Sequence, residues 1–238
     1  MTGLTAAGGA ALASTGMTFR WHKTPRHRPF LTKAHLENLH GKSGHAPRVL
    51  FVGNSFTLMH DIPARVAQLA HQADQPIDAN TAAAHGARLV ETWRIPAFRE
   101  ALDASWDLLV LQDFSATALR APDRWGSRYA MQAMSERAQV RRGLLFPTWA
   151  FPSGHRFYQD GAGFGAHRPD DPAMFARAIT NHYNAAATQL GWVRAPVTEA
   201  LAPDATPWVQ EDLHHLNALG AARVAAVLWN ALRPLLNE

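Results

Sequence analysis

The chain has 238 residues, 47% of them hydrophobic, no cysteine and a formal net charge of +4. That length suits one globular domain, and the missing cysteines exclude disulfides, thiolate metal sites and a cysteine nucleophile. The charge is lopsided: residues 1–48 hold seven Lys/Arg against one Asp/Glu, and the remaining 190 hold sixteen against eighteen, so nucleic acid is not an expected partner of the folded part.

Residues 1–47 read as a leader followed by a basic, flexible arm. Leu4 to Met17 is uncharged and rich in Ala, Gly and Thr, and Ala11-Leu-Ala13 is a small-residue pattern of the kind that precedes signal cleavage. The run is too short and too weakly apolar to span a bilayer. No Lys or Arg precedes it, so it is similar to the back half of a bacterial twin-arginine signal. The expectation is export, to the periplasm or beyond, with a disordered Ala-rich extension as the alternative. Residues 20–47 mix basic residues and prolines with His22, His27, His35, His40 and His45. These histidines lack ligand spacing and carboxylate partners, so no metal is expected. A solvated arm, or one that meets an anionic surface, fits the composition.

From Val49 onward short apolar runs alternate with helical patterns. Val49–Val52 predicts a fully buried strand. Asp61 predicts a helix cap, with Pro63 in the first turn and Val66, Leu69 and Ala70 following. Ile77–Ala83 predicts a second strand, Trp93–Ala104 a helix, and Leu108–Leu111 a third strand. Residues 122–142 predict a long helix, Leu144–Phe146 a fourth strand, Pro172–Leu190 a helix and Val193–Val197 a fifth strand. Leu216–Leu232 closes the chain as a helix with Val224, Val227, Leu228 and Ala231 on one face. Apolar strands spaced by helices predict an α/β fold, a three-layer α/β/α sandwich on a mostly parallel five-stranded sheet. Ligands of such sheets bind at the carboxyl ends of the strands, near the switch in strand order. Ser55, Gly86, Gln112 and Trp149 all fall at those ends. The Gly-rich stretch 152–169 is read as a long irregular loop near that edge, whose Phe157, Tyr158 and Phe164 either pack a substrate or pin the loop.

Two segments carry chemistry. In Gly53-Asn54-Ser55 an apolar run stops at a tight turn that sets a hydroxyl at a strand end and offers backbone N–H groups to developing negative charge. In Asp212-Leu-His-His215 a carboxylate precedes an imidazole by three residues, a spacing that lets it orient the ring while the other ring nitrogen serves Ser55. His214 competes for the same role, and helix capping by Asp212 with two surface histidines is the alternative. Arg88 is read as a surface arginine or a contact for an anionic substrate group, and Trp149 as a pocket wall or core filler.

Phe51-Val-Gly-Asn-Ser-Phe-Thr57 resembles the first block of the SGNH (GDSL-like) hydrolase superfamily, with Asn54 where Asp often stands. Asp212-Leu-His-His215-Leu is similar to the closing Asp-x-x-His-Leu block, and His85-Gly86-Ala-Arg-Leu89 to the second block. The third block departs from the usual Gly-x-Asn-Asp. Here the strand ends Leu111-Gln112-Asp-Phe-Ser115, which looks like a branch with a Leu-Gln-x-x-Ser pattern. The resemblance spans about residues 48–232, the bulk of an expected domain at 48–238, and implies a flavodoxin-like sandwich. It also implies a serine esterase with Ser55 as nucleophile, His215 as base and Asp212 as its orienting acid. Gly86 and Gln112, with Ser115 as second candidate, would hold the oxyanion, and no metal or organic cofactor would be needed. With no long apolar lid, the expected substrate is a small-molecule or carbohydrate ester with a short acyl group, such as acetyl. A thioesterase, an acyltransferase, or a non-catalytic carbohydrate- or anion-binding module are the alternatives.

Overall fold

The computed structural model describes residues 46–160, 167–202 and 204–237. The leader, nearly all of the basic arm, and Phe164 of the Gly-rich stretch lie outside the described residues. Five strands, β1 (Arg48–Gly53), β2 (Asp78–Ala83), β3 (Leu108–Leu111), β4 (Gly143–Leu145) and β5 (Val193–Arg194), form one sheet. All pairings are parallel, in the order β2-β1-β3-β4-β5. Every residue of β1, β3 and β4 is buried, as strands covered on both faces must be.

The strand order dictates the layers. The chain leaves β1 for β2 on one side and then returns past β1 to β3, so right-handed crossovers put the intervening helices on opposite faces. Helix α1 (Ser55–Leu58) is a single turn after β1, and α2 (Ile62–Gln72) makes the first crossover. Helices α3 (Leu89–Thr92), α4 (Pro96–Leu102) and α5 (Ala121–Ala138) cover the other face. The short α6 (Phe157–Asp160) precedes α7 (Pro172–Leu190), which packs on α5, and α8 (Val197–Ala200) follows β5. The last helix, α9 (Ala218–Leu232), returns to pack on α2. A three-layer α/β/α sandwich results, and the order of strands reverses between β1 and β3.

Four expectations shift for local reasons. The helix expected over Trp93–Ala104 is the shorter α4, starting at Pro96 because that proline holds Ile95 in an extended conformation (ψ 119°), and the separate turn α3 precedes it. The fifth strand ends at Arg194 rather than Val197, since Pro196 has no N–H for the ladder. The closing helix starts at Ala218 because the Asn217 side chain caps it, accepting from the Gly220 N–H at 2.9 Å. The Gly-rich stretch contains α6, whose Phe157 is buried against Phe151 and Phe175. Tyr158 donates its hydroxyl to the Phe151 carbonyl at 2.7 Å. Both rings therefore pin the segment.

Two predictions concern stability. A Cβ at Gly220 would strike the Trp208 carbonyl, a backbone atom that cannot swing aside, and would press Leu216 Cδ2 at 3.0 Å. Gly220→Ala should cost about 1–3 kcal/mol, lowering Tm by about 2–4 °C per kcal/mol in thermal unfolding. His182 on α7 is buried, with its Nε2 3.1 Å from Ser127 Oγ. Burial first, then the charges of Arg128 and Arg124, push its pKa from 6.5 down to about 4. The unfolded chain gains this proton below pH 6.5 and the folded chain not until about 4, so stability falls with pH across that window. Tm measured from pH 6.5 to 4 should decline, and His182→Gln should remove part of that slope.

Candidate active site

The turn after β1 is built around a glutamine that directly follows β3. Gln112, buried at 1% exposure, accepts at Oε1 from the Asn54 N–H and from the Thr57 hydroxyl, both at 2.9 Å. Its Nε2 donates to the Asp113 carbonyl at 2.5 Å. A backbone N–H can only donate and a carbonyl can only accept, so the amide has one possible orientation. Of the two N–H groups on Nε2, one is thereby committed to Asp113. Gly53 is required by the same packing: a Cβ there would run into Thr57 Oγ1 and lie 2.5 Å from Gln112 Oε1. Asn54 caps α1 by accepting from the Phe56 N–H at 3.1 Å. Ser55 follows as the first helical residue, so its own N–H has no carbonyl in the helix to bond.

Beside this turn lies a second one. Ala87 N–H bonds the Ala84 carbonyl at 3.1 Å, with Gly86 at φ 66° and open space where its Cβ would be. That is a type II turn, which favours glycine at its third position. Three bonds hold it against the first turn and β3. Ala84 N–H donates to the Gly53 carbonyl at 3.1 Å, and Asn54 Nδ2 to the Ala87 carbonyl at 3.0 Å. Asp113 Oδ1 accepts from the Leu89 N–H at 2.8 Å and from its neighbour Phe114 at 2.7 Å. Burial pushes the Asp113 carboxyl above its ordinary range, against these donors and the charge of Arg88. Arg88 itself is engaged by the protein, with Glu91 and Asp123 carboxylates each at 2.9 Å. Ser115 Oγ is buried without a hydrogen-bond partner.

The third component is the loop before α9. Asp212 Oδ1 accepts from the backbone N–H groups of His214 and His215 at 2.9 Å each. Its Oδ2 lies 2.7 Å from His215 Nδ1. One carboxylate thus shapes the loop, with Leu213 at φ 56°, and orients the ring. On the other side, His215 Nε2 is 3.1 Å from Ser55 Oγ. With Nδ1 donating to Asp212, the neutral ring has an acceptor at Nε2 for the serine proton. Partial burial pushes the Asp212 carboxyl up, but the hydrogen bonds from His215 and His214 outweigh it and hold the pKa below the ordinary value.

His214 points elsewhere. Its ring packs on Phe56 and Phe151, with centroids at 4.9 and 4.7 Å. Burial, then the neighbouring His215, lower its pKa to about 3, so it stays neutral. Trp149 is fully buried and bonds the His214 carbonyl through Nε1 at 3.1 Å, which makes it a support of the loop. Ser55, His215 and Asp212 come together in one chain of contacts, with Gly86 in the adjoining turn and Gln112 beneath the Ser55 turn. Sequence reasoning missed Thr57, the bracing by Asn54 and the clamp of Asp113. The readable signal was three polar side chains at the ends of buried apolar strands, where an unpartnered group is costly.

No protein-family model matches the chain, and no curated protein matches it. Solved structures do. A protein from Slackia heliotrinireducens, provisionally assigned as an SGNH hydrolase, is 22% identical, with a TM-score of 0.65 over 79% of this chain and 100% of that one. A family 3 carbohydrate esterase from Clostridium thermocellum is 12% identical, with a TM-score of 0.59 over 81% and 98%. The psychrotrophic esterase EstA from Pseudoalteromonas sp. is 14% identical, with a TM-score of 0.55 over 80% and 99%. The chain thus has the SGNH hydrolase fold.

Proposed function

We propose that the protein is a serine ester hydrolase. The observation that carries this reading is the unbroken path from Asp212 through both nitrogens of His215 to Ser55 Oγ, at 2.7 and 3.1 Å. In the proposed reaction His215 takes the Ser55 proton as Oγ attacks the acyl carbon. Asp212, held ionised, stabilises the imidazolium. The backbone N–H groups of Ser55 and Gly86 receive the charge that develops on the carbonyl oxygen. His215 then returns the proton to the leaving alcohol, and water resolves the acyl-enzyme by the same steps. Gln112 positions the nucleophile turn through Oε1, and the second N–H of its amide is the proposed third donor. A module that only binds anions or sugars has no need of a base aligned on a serine, so the pairing favours catalysis over that alternative.

The proposed substrate is a small-molecule or carbohydrate ester with a short acyl group, such as acetyl. Phe56, next to Ser55, is buried edge to face against Trp149 at 4.7 Å, and Ser55 itself is only 8% exposed, which favours a small acyl portion. The similarity to a carbohydrate esterase supports the sugar class. Among the described residues no helix is long and apolar enough to cross a membrane. Export remains our proposal for the N-terminal region, to be tested by N-terminal sequencing of the native protein.

The decisive experiment is labelling with a fluorophosphonate. Ser55 should be modified and Ser55→Ala should abolish both label and turnover, whereas persistent label in that variant refutes the assignment. A panel of p-nitrophenyl esters of graded length, acetylated sugars and acyl thioesters should show highest kcat/KM for acetyl oxygen esters. Preference for thioesters would replace the proposal with a thioesterase. Gly86→Ala and Gln112→Leu each disturb the proposed oxyanion geometry, and kcat should fall by about 10²–10³ in the first. In Gln112→Leu the loss should come with a lowered Tm, since Asn54 N–H and the Thr57 hydroxyl lose their acceptor.

A further inference from the structure

We propose that His60 is a positioning residue for His215, tying the segment that carries Ser55 to the loop that carries the base. This rests on the triad reading above and adds to it a second link between the same two segments. His60 lies five residues after Ser55, just past α1, and its Nε2 is 3.0 Å from the carbonyl of Leu216, the residue after His215. A carbonyl only accepts, so in this bond Nε2 carries the proton; Gln210 Nε2, 3.3 Å from the same ring nitrogen, then shares the carbonyl with it instead of donating to the ring. Gln210 reinforces the arrangement from within the base loop: its Nε2 donates to the same Leu216 carbonyl at 2.8 Å, and its backbone N–H to the His215 carbonyl at 2.7 Å. The backbone is therefore pinned at the His215 and Leu216 carbonyls, and among these bonds the one from His60 reaches across to the nucleophile's own segment.

The backbone at His60 gives the second observation. His60 and Asp61 stand consecutively in the left-handed region, at φ 59° and 51°. L-residues visit that region singly and at a cost, with Gly and Asn tolerating it best. Two in succession persist only where the surroundings enforce them. Here Arg65 Nε bonds the His60 carbonyl at 2.7 Å, and Asp61 caps α2. This conformation is what brings the His60 ring to the base loop. A turn whose only task was to reverse the chain would be served better by glycine, with no ring to aim.

The test exploits side-chain reach. Asn at position 60 suits the left-handed backbone but is too short to bond Leu216, whereas Gln can place an amide N–H near the position of Nε2. On p-nitrophenyl acetate, His60→Asn should lower kcat by about 10–100-fold, the scale of a displaced catalytic group. KM should stay within about twofold, because no substrate contact is removed. His60→Gln should recover most of the lost kcat. Equal losses in both variants, or a full kcat in His60→Asn while Ser55→Ala is inactive, would overturn the positioning role and leave the triad standing. Activity surviving in Ser55→Ala would overturn both, since His60 would then have no triad to align.

Discussion

The Gln112 side-chain oxygen accepts two hydrogen bonds from the turn that carries Ser55, in a place where neither donor could reach water. A buried donor left without an acceptor costs about 1–3 kcal/mol, so the turn is energetically bound to this one oxygen. Because Gln112 directly follows β3 and Ser55 opens the helix after β1, the bond spans the point where strand order reverses. Parallel sheets leave a crevice there, since successive helices depart to opposite faces. The next residue, Asp113, performs the equivalent task for the Gly86 turn through the Leu89 N–H. Two adjacent residues at one strand end thus fix both components that would receive an acyl group.

Such a design costs desolvation. Asn54, Thr57, Gln112 and Asp113 are all buried, and apolar residues of similar volume could fill the same space. What polar groups provide is direction. Asn54 uses its N–H, its Oδ1 and its Nδ2 on three different partners, Gln112, Phe56 and Ala87. A side chain so committed cannot drift, and neither can the backbone N–H groups beside it. Donors fixed before substrate arrives need no reorganisation as charge develops, which is the chief source of electrostatic catalysis. Asn54 in place of an aspartate fits this arrangement, because a carboxylate would have no N–H to give to the Ala87 carbonyl.

The sequence made the proposed reacting residues legible and left their supports hidden. Ser55 and His215 could be found because Gly53 and Asp212 mark them locally: a glycine stops an apolar strand, and a carboxylate stands three residues before an imidazole. Strands β1, β3 and β4 were legible for the same kind of reason, as short apolar runs, whereas β2 is partly polar. Pro96 and Pro196 also announced, in hindsight, the helix start and the shortened strand. The orientation of the Gln112 amide was not legible, because it depends on an N–H 58 residues away. The bond from His60 to Leu216 spans 156 residues and rests on a strained φ that no propensity favours. Local signals identify residues that act, and long-range hydrogen bonds decide where they point.

These supports divide the site into two unequal parts. The proposed nucleophile and oxyanion turns are clamped from beneath by buried side chains just past β3. The base loop lies at the surface, with Asp212 nearly half exposed, and its bond to His215 is worth little as a stabilising ion pair. Its position must come from other contacts. Trp149 bonds the His214 carbonyl, the His214 ring packs on Phe56 and Phe151, Gln210 bonds the His215 and Leu216 carbonyls, and His60 shares the latter. Phe56 is the residue after Ser55, so even this apolar contact registers the base loop on the nucleophile turn. The neutrality of His214 then becomes a requirement. A proton on its ring would place a cation among aromatic side chains, desolvated and beside His215, and would release the loop that the base depends on.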